Sequence, residues 1–169
     1  GRLWDAGKNV AVLDRAAART AVPVHAAGAV AAPGGRPASF AHLRLLGSVD
    51  EATLGDWLGR RPVFVSAARY EPFGLAVLEA AAAGCALVLS DIPSFRELWA
   101  DAAVFVAPDD DRGFAAAIDG LVGDAGRRQA MGAAAAARAA RYTPAAAAAA
   151  MAAIYAGLVA APGLSAHAA

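Results

Sequence analysis

Residues 62–90, PVFVSAARYEPFGLAVLEAAAAGCALVLS, have the pattern of one βαβ unit. The runs 62–66 and 86–90 are short, apolar and rich in Val and Leu, which is typical of buried parallel strands. Between them, residues 74–83 predict a helix, and Gly84 follows as the glycine that commonly ends a helix. Because two parallel strands need such a crossover helix, the segment predicts an α/β fold.

The alternation of strands and helices continues on both sides of this unit. Further strands are predicted at 22–27, 43–47 and 103–106, with helices at 9–19, 50–58, 94–99 and 112–122. From about residue 124 no strand signal remains, and two helices separated near Tyr142 are predicted. We expect residues 1–169 to form one Rossmann-like, doubly wound parallel domain whose last part, about 124–169, is all helical.

Two capping-box patterns predict where helices begin. Ser48 is followed three residues later by Glu51, and Ser94 by Glu97. In such a pattern the serine caps the first turn of the helix and the glutamate reaches back to it. Ser48 and Ser94 are therefore predicted N-caps.

The composition limits the function classes. The 169 residues carry 15 Lys plus Arg against 15 Asp plus Glu, so no basic surplus favours nucleic acid or an anionic membrane. The single Cys85 excludes a disulfide framework and a cysteine zinc site, and its apolar neighbours indicate a buried, inert thiol. Residues 142–166 lack charge but are mostly Ala, which predicts a soluble helix rather than an integral membrane segment. His25, His42 and His167 have no metal-site spacing.

The segment that follows the strand at 62–66 carries the chemistry. Sites in open α/β sheets form at the carboxyl ends of strands, and Gly74 allows a ligand to approach the backbone at the start of a helix. This arrangement predicts an anion site, and phosphate is the anion expected there. Glu79 is the only charged residue between Pro72 and Ser90, so we expect a buried carboxylate that accepts hydrogen bonds either from the protein or from ligand hydroxyls. Glu71 lies just before the start of the helix, where a carboxylate commonly interacts favourably with the positive end of the helix dipole.

The spacing of Glu71 and Glu79 around Pro-Phe-Gly-Leu resembles the signature of the group 1 (family 4) retaining glycosyltransferases. The likeness extends over most of the chain, from Arg2 and Lys8 through the stretches 46–49 and 63–66 to 83–88. It resembles the C-terminal, donor-binding domain of the two-domain GT-B fold. The resemblance implies transfer of a glycosyl group, hexosyltransferase-like, from a nucleoside-diphosphate sugar to an acceptor, with retention of configuration and no required metal or cofactor.

The resemblance also implies roles for particular residues. Arg2 and Lys8 would hold the donor diphosphate and, with Glu71, form the catalytic set. Glu79 would bind the ribose hydroxyls of the nucleotide. The remaining substrate-binding residues would be Gly47, Ser48 and Val49 near the base, and Phe73, Gly74 and Leu75 near the sugar and phosphates. The simpler interpretation of Arg2 and Lys8 is a solvated surface pair.

The resemblance finally implies parts that the sequence lacks. The first strand of such a domain would lie immediately before Gly1, and an N-terminal acceptor domain before that strand. We therefore expect a truncated donor half that is inactive alone, cytoplasmic, and peripheral at a membrane only through the missing domain. The competing interpretation is a non-catalytic module that binds a nucleotide or nucleotide sugar.

Overall fold

The computed structural model of the chain describes residues 1–160. Residues 161–169, which include His167 and the end of the predicted helical part, lie outside the described residues.

The described residues form five parallel strands in two sheets. One sheet pairs β1 with β2, and the other has the order β3-β4-β5. All five strands were predicted, and the observed bounds are β1 His25–Ala27, β2 Arg44–Gly47, β3 Val63–Ser66, β4 Ala86–Ser90 and β5 Ala103–Val106.

Within residues 1–160, seven α-helices alternate with and follow the strands. The predicted helices are confirmed within two residues at each end, and the bounds are α1 Val10–Ala17, α2 Glu51–Gly59, α3 Leu75–Ala82, α4 Pro93–Trp99, α5 Asp111–Gly123, α6 Ala125–Ala139 and α7 Pro144–Ala160. A short 3-10 helix, Ala6–Lys8, precedes α1.

Both predicted serine caps are wrong. The N-cap of α2 is Asp50, whose carboxylate accepts a hydrogen bond from the Thr53 N–H at 2.8 Å. The helix α4 begins at Pro93, one residue before Ser94. Proline at the first helical position has its backbone angle already set for a helix, and this fixes the start without a serine cap.

Helices cover both faces of the three-stranded sheet around β4, all five residues of which are buried. Leu87 and Leu89 belong to a core cluster with side chains of α3, α4 and α6. Ala86 and Val88 belong to a second cluster with side chains of α1 and α5. Successive residues of a strand point to opposite faces, so this division is the doubly wound arrangement that the sequence predicted.

The C-terminal helices expose an apolar surface. By length and composition only, the helical stretch Ala125–Val159 is long and apolar enough to cross a membrane. Its most apolar segment has a mean hydropathy of 1.4, and no part of that segment is buried in the protein. Residues 140–143 interrupt this stretch between α6 and α7. Ala-rich helices of water-soluble proteins can meet the same criterion, so the absence of an integral membrane segment stays a prediction.

Candidate functional site

The first residues of the chain lie against the ends of β1 and β2. The Gly1 nitrogen donates to Ala27 O at 2.7 Å, and the Gly28 N–H donates to Gly47 O at 2.7 Å. A Cβ added at Gly28 would lie only 1.6 Å from Gly1 O, so only glycine allows this close passage. The predicted residues Arg2 and Gly47 are thereby brought to the same end of the β1-β2 sheet.

The same N-terminal segment reaches the end of β3 on its other side. The Arg69 N–H donates to Gly7 O at 2.9 Å. Asn9, which is buried and left-handed at φ 54°, donates from Nδ2 to Ala67 O at 3.0 Å and to Pro108 O at 2.8 Å. Residues 1–9 therefore lie between the carboxyl ends of the two sheets, and open α/β folds bind ligands at the carboxyl ends of their strands.

Lys8 and Glu71 meet in this crevice. Their side chains form a part-buried ion pair between Nζ and Oε2. The Glu71 backbone is held as well, because Ser94 Oγ donates to Glu71 O at 2.7 Å. Glu71 is thus fixed by two contacts from distant parts of the chain, which positions its carboxylate at the start of α3.

Gly74 forms the turn into α3. Its φ of 84° is left-handed, and an added Cβ would lie 3.2 Å from Phe95 Cε1 and 3.3 Å from Glu71 Cγ. Within residues 1–160, the N–H groups of Gly74, Leu75 and Ala76 donate to no protein acceptor. Free N–H groups at a helix N-terminus favour anions, so the anion site expected at this turn stays a prediction.

Glu79 does not occupy the buried position that the sequence predicted. The residue is exposed, and no donor within residues 1–160 binds its carboxylate. Helix α3 buries Val77, Ala80 and Ala81 and leaves Leu75, Ala76, Glu79 and Ala82 on its open face. Burial and then the Lys8 ammonium lower the pKa of the Gly1 amino group, while the Glu79 carboxylate opposes them.

The other predicted site residues lie at the rim of the crevice. Gly47 is left-handed at φ 69°, and it is exposed together with Ser48, while Val49 is half-buried. Phe73 is partly exposed and packs edge-on against Tyr142, with 5.7 Å between ring centroids.

Arg2 is the most exposed of the predicted phosphate ligands. Its guanidinium pairs with Asp5 at 2.9 Å, and 64% of its side chain is accessible. Arg2 is therefore part of a surface ion pair, whereas Lys8 pairs with Glu71 in a part-buried position.

Two residues that shape the site escaped the sequence analysis. Asp14 accepts hydrogen bonds from the N–H groups of Ala41, His42 and Leu43 at 2.8–3.1 Å and so fixes the approach to β2. Burial opposes its ionisation, but these bonds prevail and lower the pKa of Asp14. Ser94 was assigned to a cap instead of to Glu71. No spacing rule connects either residue with its partners, which lie 23 to 29 positions away.

The isolated residues behave as buried or structural groups. Cys85 is fully buried, and burial raises the pKa of its thiol to about 11 against a smaller effect of Arg61. His25 packs on Trp57 with 4.7 Å between ring centroids. Within residues 1–160 no group of three or more His, Cys, Asp or Glu side chains is arranged to hold a metal ion.

A protein-family model and several known proteins match the sequence of this chain. The family model for glycosyl transferases group 1 matches residues 40–138, which include Glu71, Gly74 and Glu79 but not Arg2 or Lys8. A phosphatidyl-myo-inositol mannosyltransferase of Mycolicibacterium smegmatis is 40% identical over 104 residues, covering 60% of this chain and 27% of that protein. The chain thus spans about a quarter of the length of this relative.

Solved structures share the fold. Sucrose-phosphate synthase from Thermosynechococcus elongatus superposes with a TM-score of 0.81 at 23% identity, over 95% of this chain and 44% of that one. HepE of Anabaena, in complex with UDP and glucose, superposes with a TM-score of 0.69 at 17% identity, over 83% and 42%. At these identities the likeness shows the fold alone, and it confirms the predicted Rossmann-like half of the GT-B architecture.

Proposed function

This chain belongs to the group 1 glycosyltransferases, and on that premise we propose that residues 1–169 bind the nucleoside-diphosphate sugar of a retaining glycosyltransferase. The observation that carries the proposal is the crevice between the two sheets. There Lys8 pairs with Glu71, and the Glu71 side chain lies beside Gly74, where the N–H groups at the start of α3 have no acceptor within residues 1–160. The sugar acceptor would bind to a second domain outside these residues.

The diphosphate would bind at the N-terminus of α3. Gly74, Leu75 and Ala76 offer free N–H groups there, and the positive end of the helix dipole adds to them. Lys8 is already held at this place by Glu71. An ammonium bound to one carboxylate oxygen keeps two further donors, so it can bind phosphate without leaving Glu71.

The nucleoside would continue along the open face of α3. Glu79 lies four residues after Leu75, which is about 6 Å along a helix. An ionised carboxylate has two acceptor oxygens and can accept from both vicinal hydroxyls of a ribose. The exposed, unpartnered Glu79 fits this role better than the buried carboxylate that the sequence suggested. Gly47 and Val49 would then border the base.

The reaction breaks the bond between the sugar C1 and the diphosphate oxygen and forms a bond from C1 to the acceptor oxygen. We propose attack on the same face, so that the acceptor proton passes to the departing diphosphate and the configuration is kept. Negative charge grows on the diphosphate during this step. That charge would be stabilised electrostatically by Lys8 and by the N–H groups at the start of α3, and no metal would be required. Arg2 would contribute as well, once its guanidinium leaves Asp5 and binds the diphosphate.

Calorimetric titration with UDP, GDP and ADP tests the donor site. We expect one of them to bind, with affinity lowered about tenfold or more by Lys8→Ala and by Glu79→Ala, since a hydrogen bond to a charged group contributes about 1.5–3 kcal/mol. Arg112→Ala and Glu97→Ala are matched controls, because both side chains are exposed and belong to no ion pair within residues 1–160. Equal losses in the controls, or no binding by folded protein, would contradict the proposal.

Sugar transfer has to be tested with a protein that contains both the donor domain and the acceptor domain. Proton NMR of the product should show the anomeric configuration of the donor. An inverted product would refute the retaining mechanism. Tight nucleotide binding without any sugar transfer would instead identify a binding module.

A further inference from the structure

Two Arg-Arg pairs occur in the sequence, Arg60-Arg61 and Arg127-Arg128, and the proposed donor site uses neither. The fold brings three of these four residues to one cavity of about 490 Å³. Its lining consists of arginine side chains, one amide side chain and small residues: Arg60, Arg61, Gly84, Ala125, Arg128, Gln129, Gly132, Ala133 and Ala136. We call it the arginine cavity.

The arginine cavity lies at the opposite end of the sheet from the donor crevice. Arg61 lies two residues before β3 and Gly84 two residues before β4, whereas Glu71 and Gly74 follow the carboxyl end of β3. The five residues of β4 span about 16 Å at about 3.3 Å each. A ligand bound in one place cannot contact the other.

The positive charge in the cavity is not neutralised by the protein. Among residues 1–160, no carboxylate lies within 4.0 Å of the guanidinium of Arg60, Arg61 or Arg128. The chain as a whole has a formal net charge of zero, so three unpaired arginines around one concavity are a local excess. Such a concentration of guanidinium groups favours phosphate, whose oxygens match their planar donor geometry.

Each arginine is held in place by its surroundings. Arg128 donates from Nη1 to Leu121 O at 3.0 Å and to Val122 O at 2.9 Å, which leaves its other nitrogens free. Arg60 stacks on Trp57 at 5.1 Å from the ring centroid. Arg61 follows the C-cap of α2 and ends that helix in a left-handed conformation, φ 52°, with its N–H donating to Leu58 O at 2.8 Å.

Two glycines give the cavity its shape. The Arg61 side chain passes over Gly84, where an added Cβ would lie 3.4 Å from Arg61 Nε. Helix α6 approaches the same turn so closely that a Cβ at Gly132 would lie 2.2 Å from Gly84 O. The close contact between Gly132 of α6 and the Gly84 turn therefore fixes the shape of the cavity floor.

We propose that the arginine cavity binds a small phosphorylated ligand at a second site, separate from the donor. Its volume falls in the range of small-molecule pockets, about 300–1,000 Å³, and its concave form suits a compact anion better than a flat membrane surface. The binding groups are the free guanidinium nitrogens of Arg60, Arg61 and Arg128, with the Gln129 amide beside them.

Amide NMR titration with inorganic pyrophosphate tests this assignment, since each site reports through its own signals. We expect saturable shifts at Gly84, Gln129 and Gly132, independent of those at Gly74 and Leu75 in the donor crevice. Arg61→Gln should weaken the shifts at the arginine cavity about tenfold or more. Lys8→Gln should leave those shifts unchanged.

The control variant and a membrane assay complete the test. Arg112→Gln removes the same charge from an exposed position outside the cavity and should leave the shifts unchanged. Three results would overturn the proposal: no shift at Gly84 and Gln129, shifts that rise linearly without saturation, or equal weakening by Arg112→Gln. Binding to phosphatidylserine vesicles that Arg61→Gln abolishes, without pyrophosphate saturation, would instead reveal a membrane surface and also overturn it.

Discussion

Replacing Gly74 by alanine should damage both stability and nucleotide binding. Its φ of 84° is left-handed, which costs a residue with a Cβ about 1–2 kcal/mol. The added Cβ would also lie 3.2 Å from Phe95 Cε1 and 3.3 Å from Val77 Cγ2, and Phe95 is fully buried. Overpacking of this kind adds about 1–3 kcal/mol, so the free energy of unfolding should fall by about 2–5 kcal/mol.

Two other glycines separate the contributions. Gly47 is left-handed at φ 69° with nothing within 4 Å of an added Cβ, so Gly47→Ala should cost only the conformational share, about 1–2 kcal/mol. Gly59 is the last residue of α2, without positive φ and with open space, so Gly59→Ala should be neutral or stabilising by up to about 1 kcal/mol. Urea unfolding followed by circular dichroism measures all three. A loss in Gly74→Ala no larger than in Gly47→Ala would refute the steric argument.

Three further outcomes follow from single side chains. Asn9→Ala should lower the free energy of unfolding by about 2–4 kcal/mol in urea, since it removes bonds to Ala67 O and Pro108 O and places alanine at φ 54°; a loss below about 1 kcal/mol would contradict this. The folded-state pKa of Asp14 is lowered from its ordinary 3.8, so its contribution is present above that pH and lost as pH falls through the folded-state value. In the Asp14→Ala variant, the free energy of unfolding should therefore fall less steeply as the pH is lowered. An unchanged dependence on pH would contradict a stabilising role of the three hydrogen bonds to Asp14. Cys85, buried and with its pKa raised to about 11, should react with a thiol reagent only after unfolding, and fast reaction of the native protein would show otherwise.

The strands and helices were predictable because their signals are local. Strand β4 is buried along its whole length, as its unbroken apolar run predicts. Gly84 ends α3 in a left-handed conformation, φ 80°, as its position suggested. Thr143 caps α7 by accepting from the Ala146 N–H at 3.1 Å, a contact that spans only three residues.

The candidate site was predictable in its location but not in its contacts. The pair of Lys8 and Glu71 joins residues 63 positions apart, and no spacing rule connects them. Arg69 lies two residues before Glu71 but pairs with Asp109, 40 positions away. These pairs depend on which loops meet at the crevice, and only the packed sheet decides that.

The wrong expectation for Glu79 has a different cause. Its sequence neighbours are apolar, but on a helix adjacent residues point in different directions. Val77 and Ala80 face the core while Glu79 shares the open face with Leu75 and Ala76. Apolar context along the sequence therefore overstated burial, whereas the 3.6-residue period of the helix would have corrected it.

A crystal structure of the chain with bound UDP tests the central claim most directly. The account predicts the diphosphate at the N–H groups of Gly74, Leu75 and Ala76 with Lys8 Nζ in contact, and the ribose hydroxyls on the Glu79 carboxylate. UDP bound elsewhere, or bound in the crevice with its ribose away from Glu79 and its phosphates away from α3, would contradict the account.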